Sequence, residues 1–422
     1  MTYDIWSLAE ERMHTLYGDE IPALIQEWYQ REKSRLQNTD MEMLLAFLCR
    51  LAQHFDALKA AFTLRGRISA SFVCWLLGVS EVNPLPPHYY CPRCQCVQFT
   101  KQKKFGWDLP EKRCGCGENM LHDGMNTVYL AEIDLKKKIQ IEVDIPDELQ
   151  EDAQRQLLSF FPDQKFIRAS LMDDDMVKYI FLPNTDHTIA DPPDRMIRMD
   201  YCNAKAEVYP YPSILFYKSR QDTLLWQLCR KSNVGPRQIP WLSPGNTRSY
   251  LQYELPGILY DYGCDNAALI KNAHPGDFSG LLLFLGFNHA TIEGYDEIKA
   301  TLQSHPQAIY ELDVFCEDVY DRIHSHLEQK GIADDSFAVH VADQARLGKY
   351  IRSGVEEETQ TKLLKIGISE EYIHYLSKIR YLFPRGHMLA RLIRNLRFTW
   401  FCLNMPAAWE ETQAALYAEE CE

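Results

Sequence analysis

Residues 81–92 read EVNPLPPHYYCP and lead directly into two closely spaced pairs of cysteines. The prolines at 84, 86 and 87 interrupt any regular element, so the first part of this run predicts a loop. Cys91 and Cys94 form a C-x₂-C pair, and Cys114 and Cys116 form a C-x-C pair after nineteen intervening residues. Two thiol pairs on two turns are the usual ligand set of a tetrahedral zinc site. The run therefore predicts a small zinc-ribbon-like unit over residues 91–120.

The choice of the four zinc ligands stays open at this point, because Cys96 is a further thiol beside the first pair. Four thiolates would leave no open coordination position, so the predicted zinc is structural and not catalytic. The competing interpretation is a set of free cysteines that only pack. The chain has thirteen cysteines, an odd number, and no recognisable export signal, which favours a reducing, cytoplasmic location over a disulfide framework.

Charge and hydropathy limit the classes of function that this chain can serve. Its formal net charge is −14, which opposes binding to nucleic acid unless a local basic patch overcomes it. No apolar run approaches the length of about 18 residues that a membrane span needs, so no membrane partner is expected.

The hydrophobic pattern predicts a mixed α+β fold. Apolar residues at helical spacing occur between Ile5 and Phe62, and residues 139–145 (IQIEVDI) alternate as a strand does. A helix is predicted from Asp147 to Phe161, short strands and loops from about Phe166 to Ile214, and mostly helix from Gln221 onward.

Three runs of the chain resemble the PolC-type DNA polymerase III alpha subunit: LRGRISASFV (64–73), EVNPLPPHYYCP (81–92) and KIRYLFPRGH (378–387). The resemblance implies a C-family polymerase-like palm with a zinc-ribbon-like insertion and mostly helical fingers. It divides the chain into a helical part with the start of the palm (1–90), the cysteine unit (91–120), a degenerate, shortened palm (121–220), a fingers-like region (221–406) and an acidic tail (407–422).

The resemblance also implies that the catalytic carboxylates are missing. Nucleotidyl transfer in this family uses two Mg²⁺ ions held by three aspartates. Those positions fall on Gln140, Glu142 and Leu215. Under the alternative hypothesis, Glu142 and Asp144 form a relocated acidic pair that binds Mg²⁺, with Asp134 or the run 173–175 as a third ligand.

Two groups of residues are candidates for binding phosphates. By resemblance, the nucleotide site involves Arg65, Gly66, Arg67, Ser69, Ser71, Arg385, His387 and Arg397. The family's loop over 65–71 has two glycines, and only one of them is kept here. A row of arginines three residues apart is the candidate nucleic-acid contact: Arg391, Arg394 and Arg397. The competing interpretation is a charged helix face that contacts solvent or the acidic remainder of the protein.

The leading hypothesis is a non-catalytic, zinc-stabilised scaffold that binds nucleic acid, a nucleotide, or a partner protein of DNA replication or of a mobile element. The alternative is an active DNA polymerase or nucleotidyltransferase with a relocated metal site. A decayed fragment without a selected function is the third hypothesis.

Overall fold

A computed structural model describes residues 4–127, 140–171, 175–182, 197–198, 211–239, 263–273 and 275–418. The described residues form a mixed α+β fold, as the hydrophobic pattern predicts. The predicted strand over 139–145 is confirmed at Gln140–Ile145, and the predicted helix after it is confirmed as a 3₁₀ turn followed by a helix that ends at Phe160.

The helices of the described residues are α1 (Ile5–Tyr17), α2 (Ala23–Leu36), α3 (Asp40–Ala57), α4 (Phe72–Leu76), α5 (Gln150–Phe160), α6 (Arg220–Ser232), α7 (Gly263–Ala273), α8 (Phe278–His289), α9 (Tyr295–Ser304), α10 (Cys316–Gln329), α11 (Asp335–Arg346), α12 (Lys349–Ser353), α13 (Glu357–Ile366), α14 (Glu370–Leu376), α15 (Arg385–Asn404) and α16 (Pro406–Ala418). None of them combines the length and the apolarity that a bilayer crossing requires.

The central feature of the described residues is a six-stranded mixed sheet. In spatial order its strands are β1 (Thr63–Leu64), β6 (Gln140–Ile145), β10 (Ser213–Lys218), β8 (Met176–Phe181), β7 (Phe166–Leu171) and β9 (Ile197–Arg198). Strand β6 runs parallel to β10, and β10 runs antiparallel to β8. Residues 142, 215 and 178 are therefore neighbours in one row across three strands.

The two faces of this sheet differ because successive side chains of a strand point to opposite sides. One face is apolar and packs in a common core with α3 and α5 through Ile141, Val143, Ile145, Val177, Tyr179, Ile214 and Phe216. The opposite face carries the polar side chains of β6. The predicted site therefore lies on this polar face, and the packing of the apolar face against the helices fixes the position of the sheet.

The cysteine unit is a separate four-stranded sheet in the order β3 (Val97–Phe99), β2 (His88–Tyr90), β5 (Asn119–Asp123) and β4 (Lys112–Arg113). Its own buried cluster is small, and consists of Tyr89, Cys91, Leu109 and Met120. A core of that size rarely stabilises a sheet alone. A bound metal would therefore contribute a large part of the stability of this unit.

The helical part of the chain has two further cores. Helix α8 is buried along almost its whole length, packs against α15, and shares one apolar core with α6 and α16. The other core joins α10, α11, α13 and α14 to a two-stranded ribbon of β11 (Thr291–Ile292) and β12 (Ile379–Tyr381). Helix α15 begins directly after this ribbon, and it packs so closely on residue 70 that a Cβ at Gly386 would lie 2.8 Å from the Ala70 Cβ.

Candidate functional site

The four cysteines of the two predicted pairs lie together. The four sulfur atoms, which belong to Cys91, Cys94, Cys114 and Cys116, all lie within 4.8 Å of one another. The Cys94 and Cys114 sulfurs are 3.4 Å apart, and those of Cys91 and Cys116 are 3.5 Å apart. Tetrahedral zinc with Zn–S bonds of about 2.3 Å needs sulfurs roughly 3.8 Å apart. The cluster can therefore bind a metal such as zinc with small adjustments of the side chains.

The backbone around Cys91 favours the thiolate that a metal requires. Hydrogen bonds from the backbone N–H groups of Cys94 and Arg93 lower the pKa of Cys91 to about 6. The Cys94 N–H lies 3.4 Å from the Cys91 sulfur. Cys96 is outside the group of four, with its sulfur 3.5 Å from that of Cys114.

The polar face of the large sheet brings the three aligned catalytic positions together. Glu142 and Leu215 are direct partners across β6 and β10, and Gln140 lies on the same face two residues before Glu142. The Gln140 side-chain amide donates a hydrogen bond of 2.8 Å to a Glu142 carboxylate oxygen. Leu215 is 1% exposed and offers no oxygen. One amide, one carboxylate and one hydrocarbon thus stand side by side on this face.

A lysine and a tyrosine complete this face, and sequence reasoning missed both. Lys178 pairs with Leu215 across β8 and β10 and is 9% exposed. Its ammonium donates a hydrogen bond of 2.9 Å to the Gln140 side-chain oxygen. The Tyr217 hydroxyl donates one of 3.0 Å to Glu142. The available signal was the lone charge at Lys178 inside the apolar strand MVKYIF (176–181).

Asp144, the second member of the alternative acidic pair, has an arginine partner. The Arg65 Nε lies 2.8 Å from an Asp144 carboxylate oxygen, and the guanidinium lies 4.0 Å from the centre of the Tyr217 ring. Burial raises the pKa of Asp144 to about 6, although Arg65 opposes that rise. Of the third ligands considered, Asp134, Asp173 and Asp174 lie outside the described residues, and Asp175 pairs with Lys218 at 3.6 Å.

The loop over 65–71 uses its polar groups within the protein. Arg67 pairs with Asp343 of α11, and the Ser69 hydroxyl donates to the Leu64 carbonyl oxygen at 2.7 Å. The fully buried Glu32 accepts hydrogen bonds from the Ser71 hydroxyl (2.7 Å) and from the backbone N–H groups of residues 72 and 73 (2.8 and 3.0 Å). Sequence reasoning missed Glu32, although its helical spacing from Tyr29 and Leu36 places it on the buried face of α2.

The arginine row on α15 does not form the exposed basic stripe that a phosphate contact requires. Arg394 and Arg397 are each 2% exposed. Arg394 pairs with Asp222 at 2.7 Å, and Arg397 forms a two-point ion pair with Glu81. Arg391 is half-buried. Two of the three members of the row thus serve internal ion pairs in this conformation, and nucleic-acid binding by the row stays a prediction.

Arg385 and His387 at the start of α15 are also buried. The Arg385 guanidinium donates to Asp318 at 2.6 Å and to Asp321 at 2.8 Å. Burial lowers the pKa of His387 well below its usual value, and nearby arginines lower it further. The neutral ring accepts a hydrogen bond of 3.1 Å at Nδ1 from the Gly66 N–H. In this conformation neither side chain presents a free positive charge to a phosphate.

Over the described residues, fold and site define a mixed α+β protein with a four-cysteine cluster and a polar sheet face without a carboxylate triad. No family model matches the chain. Curated relatives do match it, and those include PolC-type DNA polymerase III of Pediococcus pentosaceus (23% identical, 99% of this chain and 33% of the relative), of Thermotoga petrophila (22%, 95% and 34%) and of Caldanaerobacter subterraneus (22%, 97% and 34%). The chain is a distant relative of PolC-type DNA polymerase III. It spans about a third of the length of these relatives.

Proposed function

We propose that this chain is a non-catalytic, PolC-like protein that serves as a zinc-stabilised scaffold for nucleic acid or a partner protein. In this proposal the six-stranded sheet is a degenerate C-family palm, the cysteine unit is a zinc ribbon, and the helices after residue 221 are fingers-like. The relatives are named as DNA polymerases III, so a role linked to DNA replication, in the cell or in a mobile element, follows as part of the proposal.

One observation carries the non-catalytic part of the proposal: a buried lysine lies where a metal-binding site would need carboxylates. Lys178 lies opposite Leu215 on one side, as Glu142 does on the other. Its ammonium group donates a hydrogen bond to the side-chain oxygen of Gln140. A two-metal mechanism needs oxygen ligands that hold two cations about 3.5–4 Å apart. An ammonium group in that row repels a divalent cation. It also supplies positive charge at the place where the cation would otherwise supply it.

The internal ion pairs support the loss of nucleotide binding. Arg65, Arg67, Arg385 and Arg397, which the resemblance assigns to the nucleotide site, each bind a carboxylate of the protein itself. A triphosphate would have to displace those carboxylates, and separating a buried charge from its partner is costly. This arrangement favours a structural use of the arginines.

Zinc in the cysteine cluster has a structural role in this proposal. Cys91, Cys94, Cys114 and Cys116 would be its ligands, and a bound ion would stabilise a unit whose own apolar core is small.

Primer extension tests the catalytic part. With Mg²⁺ or Mn²⁺ and all four deoxynucleotides, the wild-type chain should give no product above background, because Leu215 supplies no ligand. The E142A/D144A double variant is the control, since it removes the acidic pair of the alternative hypothesis. Extension by the wild type that disappears in the double variant would establish a relocated metal site and reject the proposal.

A binding assay tests the scaffold part. Fluorescence anisotropy with single- and double-stranded DNA over a range of salt concentrations measures whether phosphate contacts contribute, since such contacts weaken as salt rises. Salt-sensitive binding supports a nucleic-acid scaffold. Absence of binding leaves a protein partner as the scaffold's ligand.

A further inference from the structure

The fifth thiol of the cysteine unit is built into the fold. Gln95 adopts a left-handed conformation (φ 59°), and the Cys91 N–H donates a hydrogen bond of 3.0 Å to the Cys96 carbonyl oxygen. The Gln95 side chain donates to the carbonyl oxygens of His14 and Thr15 near the end of α1, at 3.3 and 2.9 Å. These contacts fix the turn that directs Cys96 toward the cluster.

The sulfur of Cys96 lies 3.5 Å from that of Cys114, and both residues are partly accessible to solvent. A disulfide needs a sulfur separation of about 2.05 Å, so a movement of roughly 1.5 Å between the two turns would join them. The four cysteines that could hold a metal ion are Cys91, Cys94, Cys114 and Cys116, and Cys96 is not among them. Cys96 thus remains a thiol beside a ligand when the four-cysteine site is filled.

We propose that Cys96 and Cys114 form a reversible disulfide on exposure to hydrogen peroxide, and that this disulfide releases the metal. The Cys114 thiolate attacks one peroxide oxygen, so that an S–O bond forms, the O–O bond breaks and hydroxide leaves. The Cys96 sulfur then attacks the resulting sulfenic acid, the S–S bond forms and the S–O oxygen leaves as water. Two thiols are oxidised, and one peroxide is reduced to two waters.

Metal release follows from the loss of a ligand. With Cys114 in a disulfide, three thiolates remain for a tetrahedral ion that is otherwise held by four. The apolar cluster around the cysteines themselves is small, and only the strands β2 and β3 also pack against the large core, through Tyr90, Val97 and Phe99. Oxidation would therefore loosen the cysteine unit, and a reductant with added zinc would restore it.

The experiment uses the full chain, after its zinc content has been measured. Zinc release is followed with a chromogenic chelator during peroxide addition, and disulfides are located by non-reducing peptide mapping. The wild type should lose its zinc, yield a peptide that joins residues 96 and 114, and rebind zinc after reduction. Cys96→Ser should bind as much zinc as the wild type, release it severalfold more slowly and lack the joined peptide. Cys402→Ser, at a half-buried thiol on α15, is the matched control and should behave as the wild type.

Three results would overturn the inference. The first is a disulfide that joins Cys94 to Cys114 in the wild type, and the second is zinc release from the Cys96 variant at the wild-type rate. The third is a lower zinc content in that variant, which would make Cys96 a ligand. The inference rests on the zinc proposed above for its metal-release step. A protein purified without zinc would reject that zinc site, while peptide mapping would still decide whether the disulfide forms.

Discussion

Replacing Arg394 with methionine should destabilise the protein strongly, because the change leaves a buried carboxylate without its partner. The Arg394 and Asp222 side chains are 3% and 2% exposed, and their closest atoms are 2.7 Å apart. Removing one member of a buried ion pair costs about 3–5 kcal/mol. Methionine preserves much of the length of the side chain, so the loss should come mainly from the charge and its hydrogen bonds.

The same substitution at an exposed pair is the control. Arg380 lies 2.9 Å from Glu293, with side chains that are 59% and 49% exposed. Exposed pairs contribute about 0–1 kcal/mol, so Arg380→Met should lower the free energy of unfolding far less. Urea denaturation followed by circular dichroism measures both variants. Adding Asp222→Asn to Arg394→Met should recover part of the loss, because the amide removes the unpaired charge and can still accept the hydrogen bond from Thr63.

One outcome would refute this reasoning. If Arg394→Met and Arg380→Met unfold at the same urea concentration, and Arg394→Met alone loses DNA affinity, Arg394 faces solvent and acts on nucleic acid. The internal ion pair would then not describe the protein in solution.

Two further predictions concern pH and metal. Burial raises the pKa of Asp144 to about 6. The folded state therefore keeps the carboxyl proton up to a higher pH than the unfolded state does. The contribution of Asp144 to stability should therefore be fully present below pH of about 4 and fall as the pH rises to about 6, by an amount on the order of 2–3 kcal/mol. Asp144→Asn should lack this part of the pH dependence, and parallel stability curves for the two proteins between pH 4 and 6.5 would contradict it. Zinc should co-purify at about one ion per chain, and a strong chelator should increase hydrogen exchange within residues 88–123 and spare α8, since structural zinc contributes roughly 10–16 kcal/mol to small modules. Metal-free protein with unchanged protection would reject that site.

The sequence was sufficient for the parts of the fold that local patterns determine. The alternation of polar and apolar residues predicted β6. The spacing of the thiols predicted the cluster of Cys91, Cys94, Cys114 and Cys116. Both signals depend on periodicities of a single short segment. Gln140, Glu142 and Leu215, which the resemblance aligns with catalytic positions, lie on the neighbouring strands β6 and β10, and their assignment to those positions stays a prediction.

The arginine row shows where such patterns fail. A spacing of three residues advances about 300° around a helix, so each step turns the row by about 60° relative to the last. From Arg391 to Arg397 the row therefore winds from the side opposite the apolar residues toward their edge. This winding accounts for the enclosure of Arg397 but not for that of Arg394, which lies almost as far from the apolar residues as the half-buried Arg391. Spacing predicted a row but could not predict that Asp222 and Glu81, distant in sequence, would be its partners.

The charges on the polar sheet face are the main physical argument for the non-catalytic part of the proposed function. This face pairs two acidic side chains, Glu142 and Asp144, with two basic ones, Lys178 and Arg65. Among these described residues the charges balance without a metal ion. Two divalent cations would bring four more positive charges into a buried region, where an unpaired charge is most costly. Aspartates restored at these positions would lie beside Lys178, and its ammonium group would neutralise them in place of a metal ion. A metal site would therefore also require the replacement of Lys178.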